Sequence, residues 1–207
     1  MPQKRLQVAR FPHERLGDAE LVQAATRGDV QAAGVVWDRY SGLVRSVVRG
    51  ALGPDSAAED LVQEVFVAFL RCTANIRDGN SLRAFLVSIA TRKVIVEMRR
   101  RQVRRWVTLS ATGELPDEHV LPDDFPGREV LRGLYRILDH MSSGRRMAFV
   151  LRHVQGLEIS EVAHALGVSE STVKREIARA AEIIRIRSRT EPALWQYLSS
   201  LEGGAHA

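Results

Sequence analysis

The sequence predicts an all-α protein of two small helical domains joined by a flexible acidic linker. Three observations lead there. Apolar residues recur at helical spacing in one segment after another, and no stretch alternates with period two. Gly, Pro, Asp and Ser clusters cut these segments into helix-sized lengths. Charge is segregated along the chain. Residues 92–105 hold Arg92, Lys93, Arg99, Arg100, Arg101, Arg104 and Arg105 against Glu97 alone. Residues 107–127 hold Glu114, Asp117, Glu118, Asp123 and Asp124 with no Lys or Arg. The spans expected are an arm over 1–17, a domain over 18–106, a linker over 107–127, a domain over 128–188 and a tail over 189–207.

The arm is basic, contains Pro2 and Pro12, and has no period. Asp18 is the expected N-cap of a first helix that ends at Gly28-Asp29. Asp29 caps the next, Val30 to about Leu52, where an interior Gly34 suggests close packing. After Gly53-Pro54-Asp55, the helix Ser56–Leu70 opens with Ser56 three residues before Glu59, the reciprocal capping spacing. Leu61, Val62, Val65, Phe66 and Phe69 form its buried face. Asp60, Gln63 and Glu64 share another face, acidic and amide-bearing on a chain of net charge +5. Solvated surface is one reading of that face and a docking face is the other.

Thr73–Ser81 reads as a loop around the Asp78-Gly79-Asn80 turn. A fourth helix then runs from Leu82 to about Val103, with Phe85, Leu86, Ile89, Ala90, Val94 and Met98 inward and the basic cluster in its C-terminal half. Trp106–Gly127 lacks periodicity and contains Pro116, Pro122 and Pro126. Helices are expected over Arg128–Met141, Arg145–Val154, Ile159–Leu166, Glu170 to about Arg187 and, weakly, Glu191–Leu201. In the last, Leu194, Trp195, Leu198 and Leu201 share a side that either packs on the second domain or binds a regulator.

Composition narrows the function classes. The 45% apolar content supports a packed core, and the positive balance favours a polyanionic partner. Cys72 is the sole cysteine, so no internal disulfide forms and a reducing, cytoplasmic setting is expected. No apolar run approaches membrane-spanning length, and Met1–Gly17 lacks a signal-peptide core. His13, His119, His140, His153, His164 and His206 are scattered without metal-ligand spacing, so no metal or other cofactor is expected. Gly167-Val-Ser-Glu-Ser171 begins like a nucleophile elbow but lacks the closing glycine and a preceding strand. No phosphate-binding Gly-rich loop with Lys is present. The chain is not expected to be an enzyme.

Ile159 to Arg179 has the grammar of a DNA-reading helix-turn-helix. Ala163 is small where two helices cross. Gly167 takes the positive φ that leaves the first helix, Val168 plugs the turn and Ser169 caps the second helix. Val162, Leu166, Val173 and Ile177 form the shared core. The outer face then carries short hydroxyls and long cations, Ser171, Thr172, Lys174, Arg175 and Arg179, suited to base edges and phosphates.

Taken together, Asp18-Ala-Glu-Leu-Val22, Ala58-Glu-Asp-Leu-Val-Gln-Glu-Val-Phe66, Ser81-Leu-Arg-Ala-Phe-Leu-Val-Ser-Ile-Ala90 with its arginine run, and Gly156 to Lys174 resemble the extracytoplasmic-function (ECF, group 4) sigma factors of bacterial RNA polymerase. These belong to the sigma-70 family. The resemblance covers about residues 18–106 and 128–188. It implies that Asp60, Gln63 and Glu64 dock on the β′ clamp helices of the core polymerase, with the β flap as a second contact and an anti-sigma factor as a regulating partner. It implies −10 promoter contacts by Asn75, Asn80, Ser81, Arg83, Arg92, Lys93, Arg99 and Arg100, with the loop taking a flipped base. It implies that the helix-turn-helix reads the −35 element as duplex. For the loop a plain solvent turn stands beside base capture. For the linker a solvated spacer stands beside a segment that threads the polymerase cleft.

Some positions depart from the family's pattern. Glu158 stands where Ser or Thr often caps, Glu176 where Arg is common, Arg92 where Asn is frequent, Ser142-Ser143 where Pro often stands and Ala33 where a core aromatic is common. The acid at 176 is expected to weaken or alter −35 reading. The alternative is a stand-alone helix-turn-helix regulator with residues 18–106 as a sensing or dimerising domain. Such a regulator has no need of the Glu59–Phe66 face or of the basic helix after a polar loop.

Overall fold

The computed structural model describes residues 12–53, 56–73, 82–112 and 127–204, and among them every regular element is helical. Four helices form the first half: α1 (Asp18–Thr26), α2 (Val30–Leu52), α3 (Ser56–Cys72) and α4 (Leu82–Thr112). Five form the second: α5 (Arg128–Asp139), α6 (Ser143–Phe149), α7 (Ile159–Leu166), α8 (Glu170–Arg187) and α9 (Pro192–Gly204). A π-helical segment, Val150–Val154, extends α6.

The predicted inward faces are the buried ones. Leu61, Val62, Val65, Phe66 and Phe69 of α3 meet Val36, Val44, Val47 and Val48 of α2 and Leu86, Ile89, Ala90 and Val94 of α4 in one core. Trp37 packs on Phe66 at a ring separation of 4.6 Å, within the range where tilted aromatic pairs attract. That core continues into the second half through Met147, Ala148, Val150, Leu151, Leu157, Val162 and Val173. The two halves therefore rest against each other. A smaller cluster of Tyr135, Ile137, Leu138, Met141, Ala180 and Leu194 joins α5, α8 and α9.

Asp29 caps α2 as expected, its Oδ1 accepting from the N–H groups of Gln31 and Ala32. Asp18 does not cap α1. Gly17 holds that position, its N–H donating to Glu20 Oε2 at 2.8 Å. Asp18 instead lies inside the helix and accepts from Arg39 and from the Tyr40 hydroxyl of α2. Gly34 is not a close-packing glycine, since a Cβ there would meet nothing. The close approaches are at Gly50, where a Cβ would stand 3.3 Å from Val150 and Val154, and at Gly133, 3.2 Å from Glu191. Helix α4 does not stop near Val103 but runs to Thr112, into the stretch expected to be linker. The remainder of that linker, the polar loop and the basic arm fall largely outside the described residues. Leu194 of α9 is buried against α5, whereas Trp195 and Tyr197 face outward along an apolar groove beside α5 and α8.

Candidate nucleic-acid interface

The helix-turn-helix follows from local chemistry. Gly167 adopts φ 68°. The Val168 N–H then reaches the Ala163 carbonyl at 3.1 Å and the Gly167 N–H that of His164 at 3.2 Å, the paired bonds that close a helix through a left-handed residue. Ser169 caps α8 by accepting from the Thr172 N–H. Val162 and Val173 are fully buried between α7 and α8, with Leu166 and Ile177 flanking. Val168, expected as a plug, is instead 41% exposed. Backbone bonds close this turn with no need of an apolar side chain.

Ser171, Lys174, Arg175 and Arg179 are exposed on α8 and Thr172 is half-buried. The hydroxyls of Ser171 and Thr172 both lie 2.9 Å from Ser169 Oγ. They gather at the helix N-terminus, where N–H groups and the helix dipole favour an anion. Glu176 is not an open negative charge on this surface. Arg145 of α6 donates to its Oε2 at 2.9 Å and Arg179 lies 3.3 Å from its Oε1. His164 is exposed.

On α7, the Glu161 carboxylate does two jobs. Its Oε2 accepts the Glu158 N–H at 2.8 Å and closes the helix start. Its Oε1 takes Arg83 of α4 at 3.2 Å. Arg83 thus stands at the contact between the two halves. Arg92, Arg99 and Arg100 are exposed along α4. Lys93 donates to Glu64 Oε2 of α3 at 2.7 Å. Farther along, Glu97 accepts from Arg101 at 3.2 Å and Arg104 at 2.8 Å. Burial raises the Glu97 carboxyl, but the two guanidiniums outweigh it and hold the group below the ordinary carboxylate range. Arg101 and Arg104 are therefore partly spent inside the protein. Asn75, Asn80 and Ser81 lie outside the described residues.

On α3, Asp60, Gln63 and Glu64 are exposed, as are Val67 and Leu70 beyond them. Positions 60, 63, 67 and 70 alternate by three and four, the spacing with which one helix seats on another. The apolar pair was missed in the sequence because Val67 and Leu70 sit beside the buried Phe66 and Phe69. The three-four spacing from Asp60 is the signal that marks them. Glu59 belongs elsewhere: its carboxylate accepts from Arg45 and Arg49 of α2.

Behind these surfaces, Arg146 is 5% exposed, bonded to Asp139 and stacked 5.9 Å from the Tyr135 ring. Among the described residues no group of His, Cys, Asp and Glu is arranged to hold a metal ion, and no helix is long and apolar enough to cross a membrane.

Comparison with known proteins agrees with the geometry. Residues 36–104 match the family model for Sigma-70 region 2, and residues 131–183 match that for Sigma-70, region 4. The chain is 33% identical over 132 residues to the ECF RNA polymerase sigma factor SigX of Bacillus subtilis, covering 61% of this chain and 68% of the relative. It is 32% identical over 151 residues to the ferric citrate uptake sigma factor FecI of Escherichia coli, covering 71% and 85%. The solved structure of CnrH in complex with the cytosolic domain of CnrY aligns with 84% of this chain and 98% of that one, at TM-score 0.60 and 23% identity. At that identity it shows a shared fold.

Proposed function

This chain belongs to the ECF sigma factors of the sigma-70 family, and on that premise we propose how its surfaces divide the work of promoter-specific transcription initiation. Family membership decides against a stand-alone regulator. The chain works with RNA polymerase and promoter DNA, and the individual contacts are the proposal.

The exposed face of α3 seats on a helical element of the core polymerase. Asp60, Gln63 and Glu64 offer carboxylates and an amide to a basic partner, and Val67 and Leu70 add apolar area at the same spacing. Arg92, Arg99 and Arg100 of α4 hold promoter phosphates near the −10 element. Asn75, Asn80 and Ser81 read an unstacked base there, with Lys93 and Arg83 joining once released from Glu64 and Glu161. Helix α8 enters the major groove at −35. Ser171 and Thr172 sit at its anion-favouring end, and Lys174, Arg175 and Arg179 reach base edges and phosphates. The resemblance adds an anti-sigma factor as a regulating partner, and the sole cysteine, Cys72, favours a reducing, cytoplasmic setting.

The observation that supports this most is the exposed acidic-to-apolar stripe of α3 on the same chain as a capped helix-turn-helix. Reconstitution with bacterial core polymerase tests it. A specific run-off transcript that depends on the chain is expected; no core association and no specific transcript overturns the proposal.

A further inference from the structure

The region 4 match ends at residue 183, and the chain builds one more wall beyond it. After the bend Ser188–Thr190, α9 returns along α5. Its start lies close on that helix. Leu194 is buried there, Arg136 of α5 meets Glu191 at 3.2 Å, and a Cβ at Gly133 would stand 3.2 Å from Glu191. Between α5, α8 and α9 lies a groove of about 800 Å³, inside the size range of small-molecule sites.

The walls of this groove are apolar. Leu131 and Leu134 come from α5, Ile184 from α8, and Trp195 and Leu198 from α9. Phe149 and His153, with ring centroids 4.9 Å apart, add an aromatic patch from α6 and the π segment. Trp195 and Tyr197 stay exposed beside it, which leaves apolar area in water that a ligand would remove. Stable protein contacts take about 800 Å² from each partner. Here the apolar side chains instead surround a concavity, as those of small-molecule sites do.

The charge on the groove has one sign. Arg185 and His153 line it, and among the described residues no carboxylate does. Two carboxylates on the flanking segments are already engaged, Glu182 by Arg185 and Glu191 by Arg136. Glu182 takes the Nε and one Nη2 proton of Arg185, so the guanidinium keeps further donors. That pair is exposed on both sides and is readily shared with an incoming anion. Arg189 adds a second guanidinium, 5.9 Å from the centre of the Trp195 ring.

We propose that this groove binds a free single-chain carboxylic acid. The alkyl chain lies along Leu131, Leu134, Ile184 and Leu198, and the carboxylate meets the Arg185 guanidinium. Apolar walls take the chain, and the charge-assisted bond selects the head. The site does not depend on the promoter and polymerase assignments. Ile184, Arg185 and all of α9 lie beyond the region 4 match.

Dodecanoate, kept below its micelle concentration, tests this by calorimetry on the full-length chain, with decanoate and dodecanol alongside. Dodecanoate is expected to bind. Decanoate, two methylenes shorter, should bind about tenfold more weakly because less chain is buried. Arg185→Gln should weaken dodecanoate about tenfold and leave dodecanol unchanged. Tryptophan emission of the wild type should shift as dodecanoate enters. That shift should be absent from Trp195→Phe, which should still bind by calorimetry. Arg185 and Trp195 are both exposed, so both variants should fold.

No binding of dodecanoate overturns the site. So does equal wild-type affinity for dodecanoate and dodecanol, or an Arg185→Gln variant that binds dodecanoate as the wild type does. An emission shift that survives in Trp195→Phe places the ligand elsewhere and also overturns it. Binding to phosphatidylglycerol vesicles with none to monomeric dodecanoate would make the groove a membrane contact. A dimer in sedimentation that Leu198→Asp dissolves would make it an interface between copies. Either outcome overturns the proposal. Transcription enters none of these readouts, so failure of the functional assignment would leave them standing.

Discussion

Lys93 and Glu64 neutralise each other across 2.7 Å between α4 and α3, although one is assigned to DNA and the other to polymerase. Each partner that claims one member releases the other. An exposed pair of this kind holds about 0–1 kcal/mol, so a protein or DNA surface can displace it readily. Replacing Glu64 with Gln should free Lys93 for phosphates. The dependence of non-specific DNA affinity on salt should then steepen by about one counterion, measured by fluorescence anisotropy over a salt series.

Reversing charge with Asp60→Lys and Glu64→Lys should weaken binding to core polymerase by about tenfold or more, read by titration. Both side chains are exposed, so helical content and thermal midpoint should stay near wild type. Unchanged affinity removes the docking role from this face.

On the DNA side, two classes of effect should separate. Lys174→Ala and Arg175→Ala should each cost about 1–3 kcal/mol at the −35 duplex and relax its sequence preference if they read bases. Arg99→Ala and Arg100→Ala should weaken all duplexes alike and each lower the salt slope by about one. Binding isotherms on matched and scrambled duplexes make the distinction.

Glu176 is expected to matter more for folding than for reading. Removing it as Glu176→Ala leaves the half-buried Arg145 without its acceptor and should cost about 1–3 kcal/mol in urea unfolding. A gain in duplex affinity with no loss of stability would show that its charge mainly repels phosphate. In the core, Phe69→Ala should cost about 3–5 kcal/mol, because Phe69 is fully buried between α2, α3 and α4.

Stability should fall in strong alkali through Tyr40. Burial, then the hydrogen bond to Asp18, pushes its phenol up to about 12. The unfolded chain ionises near the ordinary value of about 10. The contribution is therefore complete below pH 10 and lost as pH rises through about 12. The phenolate absorbance of Tyr40→Phe should lack that late component. At the acid end Glu59, held down chiefly by its bond to Arg45 against burial, contributes above the ordinary carboxylate range. That contribution disappears as pH falls through its depressed value.

Much of this was legible in the chain. The limits of α2, α7 and α8 follow from Asp29, Gly167 and Ser169, because caps and left-handed turns are local events written in a few neighbouring residues. The outward sets on α3 and α8 follow from periodicity. Long-range pairings did not show themselves. Arg83 and Glu161 are 78 positions apart, and nothing local distinguishes a cation that meets a carboxylate from one that meets a phosphate. Gly34 drew notice for its place in a helix, yet Gly50 in the same helix meets the second half. The difference lies in what packs there. Helix α4 outran its expected end because Val107 and Thr108 carry no breaker; Gly113 is the first one beyond Val103.

The π segment Val150–Val154 bears on how such a chain can change length. A π turn is a helix carrying one residue more than α winding needs. Removing one residue from it, such as the exposed His153, would permit ordinary α winding and leave the downstream chain facing nearly as it does now, because the wide turn already absorbs that residue. Gln155 would keep its place beside Ser46, and Leu157 its place in the core it shares with α2. Inserting a residue into the regular winding of α6 would instead turn both away by about 100°, one α-helical step. How the two halves meet is thus encoded by residue count in the α winding ahead of this point as much as by residue identity.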